Sequence, residues 1–463
     1  MSPARYDKIL KMSQALAHSA LLADLYELTM AAAYFENNLN RNATFELFVR
    51  SLPPERSFLL AAGLEQALEY LENLRFGDDE IAYLRDQPIF ARIGNGFFDY
   101  LRDFRFDGEV WAVPEGTPIF AEEPLLRVFA PIIEAQIVET FLLSTLTFQT
   151  MIASKAARVA AAAQGRRVVE FGSRRAHGPE AGVLAARAAF IGGCSGTSNL
   201  QAGRLFDIPV VGTMAHSFVM ACADEEEAYR RFDRLFPQHN ILLVDTYDTL
   251  AAVEKIARAG LRPKAVRLDS GNLLELSQRV RERLDRAGLN ETRIFASGDL
   301  DEFRITELLA EGAPIDSFGV GTVLATSKDA PALGGVYKLV DLASDQGVTY
   351  RAKLSADKIT YPGAKQVFRF SDGSGTYRED IVGLASEDYP EAVPLLRCVM
   401  RKGKRVISSP SMQEIQRCAR EELDKLPPAC RRLNQPHCYP VSFSGEVKNL
   451  LAAVRRQVEN GAA

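Results

Sequence analysis

The sequence is short of the features that mark several large classes of protein. No stretch approaches eighteen consecutive apolar residues without a charge, so no membrane-spanning helix is expected. There is no basic excess: 55 Lys and Arg against 60 Asp and Glu leave a net charge of -5, which argues against a nucleic-acid binder. Met1-Ser2-Pro3-Ala4-Arg5-Tyr6-Asp7-Lys8 has no uninterrupted apolar run behind it, so no signal peptide is read there. Cysteine is scarce, six in 463 residues, which is compatible with a reducing cytosol and leads us to expect a cytoplasmic protein. Four of the six (Cys398, Cys418, Cys430, Cys438) fall near the end beside His437. Their separations of 20, 12 and 8 lack the close C-x-x-C pair of a zinc site, so they read as scattered thiols in a helical tail. Common catalytic signatures are missing too. Gly403-Lys404 is followed by Arg405-Val406 and makes no phosphate loop, no H-E-x-x-H occurs, and Ser195 lies outside any G-x-S-x-G. Gly319-Val320-Gly321 lacks the third glycine of a dinucleotide fingerprint.

What is present is an ordinary globular composition, 47% hydrophobic and 25% charged, with length enough for about three domains. A helix is predicted from Asp24, as its cap, to Phe35, a strand over 43–50, and a helix from Leu59 to Leu74 that tolerates Gly63. Residues 109–129 read as short strands broken at Pro114-Glu115-Gly116 and Glu122-Glu123-Pro124, and 132–163 as one or two long helices.

From about residue 165 a rhythm sets in. Short apolar runs at 168–172, 208–213, 241–245, 265–269, 293–296 and 317–320 alternate with amphipathic helices at 180–191, 248–259, 272–287 and 301–311. Val244, Val266, Ile294 and Phe318 are 22, 28 and 24 residues apart, the length of one strand-helix unit. That repetition argues for a parallel sheet closed into a (β/α) barrel. After Ser327 the alternation becomes β-like again and is expected to rejoin the N-terminal module. We therefore expect an α/β protein in three parts: an N-terminal α+β domain (1–164), a barrel (165–330), and return strands with a helical tail (331–463).

Parallel α/β folds place their chemistry past the carboxyl ends of the strands. There this chain carries Phe171, Arg174 and Arg175, then Thr213, His216 and Ser217, then Asp245 and Thr246. Arg267, Asp269 and Ser270 follow, then Ser297, Gly298 and Asp299, then Gly319, Gly321 and Thr322. Helix capping alone would explain Ser270, Asp299 and Thr322. It does not explain Arg174 and Arg267 where helix N-termini are expected, since arginine there is unfavourable unless an anion is bound. Gly298, Gly319 and Gly321 would let backbone N–H groups approach phosphate oxygens closely. The set suits a multiply phosphorylated, anionic substrate. Asp245 and Asp269 are reasonable supports for Mg²⁺, a hard ion carried by carboxylates and substrate oxygens.

Seven segments in order resemble the nicotinate phosphoribosyltransferase family. They are Asp24-Leu25-Tyr26-Glu27-Leu28-Thr29-Met30, Glu170-Phe171-Gly172-Ser173-Arg174-Arg175, Gly212-Thr213-Met214-Ala215-His216-Ser217 and Val244-Asp245-Thr246-Tyr247. Val266-Arg267-Leu268-Asp269-Ser270-Gly271, Gly319-Val320-Gly321-Thr322 and Gly334-Gly335-Val336-Tyr337-Lys338-Leu339 complete the set. The resemblance implies the irregular barrel of type II phosphoribosyltransferases and an enzyme of NAD synthesis or salvage. Such an enzyme joins nicotinate to 5-phosphoribosyl 1-diphosphate (PRPP), with Mg²⁺ and coupled ATP hydrolysis. It implies that His216 is the phosphorylated histidine, and that Tyr26, Thr213 and Arg267 contact nicotinate with Phe171 stacked on the ring. It further implies that Arg174 and Thr322 meet phosphate, and that the enzyme is a homodimer in which Tyr26 reaches the neighbouring site. A phosphohistidine needs an acceptor on its other ring nitrogen, for which Asp245 or Asp269 is expected.

The nearest rival is nicotinamide phosphoribosyltransferase, which shares the fold and the Arg-x-Asp-Ser-Gly motif. That relative carries an aspartate in a Gly-Thr-Asp segment, where Gly196-Thr197-Ser198-Asn199 here places Ser198. Without that carboxylate an amide gains nothing and a carboxylate escapes repulsion, so nicotinate is the expected substrate. Quinolinate would call for more basic residues around the ring. A barrel reduced to a binding scaffold would not be expected to keep His216, Arg267 and Asp269 together.

Overall fold

The computed structural model describes residues 19–344, 347–355 and 358–461. The N-terminal stretch read for a signal peptide lies outside the described residues. The first helix, Leu25–Glu36, stands where it was expected, but Asp24 at its start makes no side-chain capping bond. The predicted helix from Leu59 is corrected. Leu59–Leu60 form a short strand, and the helix is Leu64–Asn73, entered through Gly63 at φ 102°. A Cβ at Gly63 would meet the Thr145 carbonyl oxygen at 2.9 Å, so the chain must turn there on glycine.

Two sheets organise the chain. The first is seven-stranded and takes its strands from both ends of the sequence. Asn42–Val49, Pro124–Pro131 and Glu109–Ala112 come from the N-terminal part; Gly335–Ser344, Gly347–Tyr350, Arg397–Arg401 and Lys404–Arg405 come from beyond the barrel. Gly335–Ser344 lies antiparallel on Asn42–Val49, with Phe45 opposite Leu339 and Leu47 opposite Tyr337, so the chain does return to its N-terminal module. The long helix Glu139–Ala162, whose side chains enter both major cores, leads from this layer into the barrel.

The second sheet is parallel and six-stranded, in the order Gly196–Thr197, Arg167–Glu170, Ser317–Val320, Arg293–Ala296, Ala265–Leu268, Ile241–Leu243. Five of these are predicted strands. The sixth predicted strand, 208–213, is instead an irregular segment. It touches Thr197 through a single parallel bridge at Val210, and the Met214 amide reaches the Ile241 carbonyl oxygen at 3.4 Å. Those two contacts close the ring between its edge strands. Pro209 and Gly212 explain why no full strand forms there: proline has no N–H to give, and glycine weakens a strand interior. Period-two alternation turns Val169, Ala265 and Phe295 inward as a small interior core, while the outward residues pack under the surrounding helices.

The helical tail is corrected as well. Lys365–Ser371, Tyr377–Leu384, Val393–Pro394 and Val441–Phe443 form a four-stranded sheet with helix Gly445–Glu459 packed on it, while helix Met412–Asp424 packs on the barrel helix Pro179–Ile191. Arg369 is buried in that layer and bonds Asp380 at 2.6 Å. The C-terminal cysteines are dispersed: Cys398 is in the seven-stranded sheet, Cys418 and Cys438 are exposed, Cys430 is buried, and no disulfide joins them. Among the described residues no cluster of three or more metal-ligating side chains occurs, and no helix is long and apolar enough to cross a membrane.

The first helix carries a titration signature. Glu27 is fully buried and accepts from the Thr140 amide at 2.9 Å and from the Thr140 hydroxyl. Burial nevertheless pushes its carboxyl up to about 7, and burial does the same to Glu134. A carboxyl that holds its proton more tightly folded than unfolded stabilises the fold most at low pH. That contribution is lost as the pH rises from about 4.5 to about 7. Glu27→Gln should remove part of this slope, on the order of 1 kcal/mol, seen as a melting temperature that gains on wild type between pH 5 and 7.5. Parallel melting curves for the two proteins would show that Glu27 is ionised throughout.

Candidate active site

The carboxyl ends of the parallel strands converge on Arg267. Its strand, Ala265–Leu268, turns positions 265 and 267 to the interior, and the guanidinium is held there by three bonds. Nε donates to the Ser297 hydroxyl at 2.8 Å, one terminal nitrogen to the Thr213 hydroxyl at 2.7 Å, and the other to Asp269 Oδ1 at 2.7 Å. Ser297, 2% exposed, also donates to Asp269 Oδ1 at 2.6 Å, which closes a ring of charge-assisted bonds. The expected position of Arg267 at a helix N-terminus is therefore corrected: it lies within a strand, and its charge is balanced by Asp269.

Phe171 covers this group. Its ring centroid is 5.6 Å from the Arg267 guanidinium carbon and 5.6 Å from the Phe295 ring. The ring is seated by its neighbours. The Phe171 amide donates to the Val320 carbonyl oxygen at 2.8 Å. A Cβ on Gly319 would lie 2.7 Å from the ring. Packing beneath Phe171 alone thus requires glycine at 319. Gly298, at φ 94°, is likewise fixed by packing, since a Cβ there would meet the Asp269 carbonyl oxygen at 2.1 Å. Only Gly321 has ordinary clearance, with nothing nearer than 3.5 Å, at the start of the short helix Thr322–Ala325.

His216 begins the short helix His216–Met220, with Ser217 beside it and exposed. Its Nδ1 is 3.1 Å from the Thr246 hydroxyl, and its Nε2 is 4.0 Å from Asp269 Oδ2. The orienting partner is thus Thr246 and not the expected aspartate, while Asp269 faces the other nitrogen. Asp245 accepts through Oδ2 from the Asp269 amide at 3.0 Å and from the Ser270 hydroxyl at 2.6 Å. Its Oδ1 is buried without a partner.

The capping reading is tested by the helices that follow. Their caps are Asp248, Asn272 and Asp301, which accept from Ala251, Glu275 and Arg304 amides at 2.7, 3.4 and 2.7 Å. Asp245, Ser270 and Asp299, which follow the strands, cap none of these three helices. Similarly Asn199, not Ser198, caps Leu200–Phe206, accepting from the Ala202 amide at 2.9 Å, and Ser198 is exposed. Glu170 anchors this edge, accepting from the Thr197 hydroxyl at 2.6 Å and from the Gly172 amide; burial raises its carboxyl above the usual range.

Arg174 lies in the one-turn helix Ser173–Arg175, exposed, with no ion pair among the described residues. Tyr26 stays in the N-terminal domain, 45% exposed, where partial burial and neighbouring Glu139 push its hydroxyl up. It makes no bond to the strand-end cluster among the described residues. Ser297, Thr246 and Glu170 are the contacts that sequence reasoning underrated. Alternation from Phe295 inward would have pointed to Ser297.

Two of the three matching domains and the full-length relatives are those of nicotinate phosphoribosyltransferases. Residues 21–147 match the nicotinate phosphoribosyltransferase N-terminal domain, and 390–451 match its C-terminal domain. Residues 152–330 match the quinolinate phosphoribosyl transferase C-terminal domain. The chain is 47% identical over 444 residues to a nicotinate phosphoribosyltransferase of Mycobacterium tuberculosis, covering 94% of each protein. It is 39% identical to that of Bacillus subtilis, covering 92% of this chain and 93% of the relative. Its structure superposes on the crystal structure of human nicotinic acid phosphoribosyltransferase with a TM-score of 0.82 at 30% identity, covering 93% and 99% of the two chains. A nicotinate-nucleotide pyrophosphorylase from Pyrococcus furiosus superposes at 0.71 with 26% identity, covering 89% and 96%.

Proposed function

The chain belongs to the nicotinate phosphoribosyltransferase family, and we propose that it condenses nicotinate with PRPP to give nicotinate mononucleotide and pyrophosphate, driven by ATP through a phosphohistidine at His216. The observation that carries the substrate assignment is the fixed guanidinium of Arg267 beside the Phe171 ring. An aromatic ring laid against Phe171 brings its carboxylate to the N–H groups that Arg267 has left, and Thr213 adds a hydroxyl. Ser198 presents no carboxylate to repel it. Tyr26, exposed and outside its own cluster, fits a contribution to the partner's site in a homodimer.

The reaction forms a bond from the pyridine nitrogen to the anomeric ribose carbon and breaks that carbon's bond to diphosphate. Positive charge develops on the sugar and negative charge on the departing group, so the protein acts by holding the reactants in line and balancing charge. The residues we assign to phosphate are Arg174, Ser217, Gly298, Asp299, Gly321 and Thr322. Mg²⁺ fits the carboxylates in one respect: Asp245 Oδ1 has no partner and Asp269 Oδ2 is free of Arg267. Those two oxygens could hold the ion only together with substrate oxygens and water, where it would neutralise diphosphate charge.

For the ATP step, the tautomer with its proton on Nδ1, held by the Thr246 hydroxyl, leaves the Nε2 lone pair for the γ-phosphorus. An Nε2–P bond forms, the β–γ bridging P–O bond breaks, and ADP leaves. Asp269 then balances the cationic phosphoimidazole.

Two variants test these roles. Arg267→Lys should raise the KM for nicotinate at least about tenfold, the worth of a lost charge-assisted bond, with a smaller change for PRPP. Equal effects on both would move Arg267 to the phosphate side. His216→Ala should lose ATP hydrolysis and its stimulation of turnover while keeping the fold and some ATP-independent product formation. ATPase activity equal to wild type would remove the phosphohistidine from the scheme.

A further inference from the structure

At the other end of the barrel, a cavity of about 520 Å³ lies between the turns that precede the first two parallel strands, at Gly165 and Gly193, and the helix Met412–Asp424. None of its lining residues belongs to the strand-end cluster. We propose that this cavity is a second anion site, which takes a phosphorylated small molecule carrying an apolar ring.

The charge of the lining is the first argument. Of 21 lining residues six are arginines, and Asp424 is the one acid. Arg56 and Arg158 form its floor, both nearly buried. They share a network with Lys155 in which Arg56 pairs with Asp329 at 3.0 Å and Arg158 with Glu302 at 2.9 Å. Lys155 pairs with both carboxylates, at 2.6 and 2.8 Å. Three cations thus share two carboxylates, which leaves one positive charge in a water-poor setting. Arg56 also keeps a buried Nε–H with no partner in the described structure, a donor whose desolvation is uncompensated.

The rim adds to this. Arg417 and Arg431 make only distant contacts, 3.9 Å to Glu421 and 3.8 Å to Asp424. Arg420 and Arg432 are exposed, with no ion pair among the described residues. A plainer reading would have these arginines cap the helix Pro179–Ile191, whose C-terminal end reaches the cavity and favours cations. That end is already served. Gln416 donates to the Phe190 and Cys194 carbonyl oxygens at 2.6 and 2.8 Å, which leaves the rim arginines without that task. Phe58, Leu423 and Leu433 supply an apolar wall, and the volume is that of an ordinary small-molecule pocket. Arginines on the floor and on the rim, beside an apolar wall, match phosphate oxygens attached to a ring.

Calorimetric titration of the full chain with adenosine 3′,5′-bisphosphate tests this, with inorganic tripolyphosphate as a ring-free comparison. Wild type should bind the bisphosphate saturably. The Arg420→Glu, Arg432→Glu double variant should bind it at least about tenfold more weakly with an unchanged melting temperature and unchanged turnover in its absence. Tripolyphosphate should bind more weakly than the bisphosphate. Undiminished affinity in the double variant would place the ligand elsewhere and overturn the proposal, as would no saturable binding at millimolar bisphosphate. Equal affinity for tripolyphosphate would overturn the ring requirement.

Discussion

The site depends on one constraint: Arg267 is immobilised before any substrate arrives. A guanidinium offers five N–H donors in a planar fork, and three separate partners take it up here at 2.7 to 2.8 Å. Each partner comes from a different segment of the barrel. Thr213 belongs to the irregular closing stretch, Asp269 to the end of Arg267's own strand, and Ser297 to the next strand end. The position of Arg267 therefore reports the closure of the ring as a whole. A change that loosens one segment should be felt at the guanidinium, and a fixed donor array loses little on binding an anion.

The irregular closure has a chemical use. A regular strand at 208–213 would commit its backbone groups to both neighbours. The actual segment spends one bridge at Val210 and one amide at Met214, which leaves Thr213 on a loop and His216 at the start of the next short helix, with both side chains turned toward the strand ends. Edge strands brought together by a few contacts are a weak place in a sheet. The helix Met412–Asp424 meets the barrel's outer side there, with Gln413 donating to the Asp207 carbonyl oxygen at 2.9 Å. The C-terminal part thus completes the N-terminal sheet and also braces the barrel.

Much of this was legible in the sequence, and the failures have physical reasons. Five barrel strands and their helices could be read because buried parallel strands are short apolar runs of regular spacing. The stretch 208–213 is apolar and β-branched as well, and only its tertiary setting shows that it pairs at a single residue. Gly63 was taken as a helix interior because periodicity does not register a positive φ. Arg267, Asp269 and Thr213 were identified, yet the compensation of Arg267 by Asp269 was not, since spacing in sequence does not give the direction of a side chain. The same limit hid Thr246 behind the two aspartates as the partner of His216, and concealed that Gly298 and Gly319 serve packing.

Ring selectivity is the property on which the role of Arg267 bears most directly. Purified protein with PRPP should be supplied with nicotinate or nicotinamide in turn, and mononucleotide and pyrophosphate measured together. Nicotinate should give the two products in equal amounts. Nicotinamide, which is neutral and forms no ion pair with Arg267, should have a kcat/KM at least about tenfold lower. Equal use of the two rings, or no pyrophosphate from nicotinate, would contradict the reading of Arg267 as the carboxylate receptor.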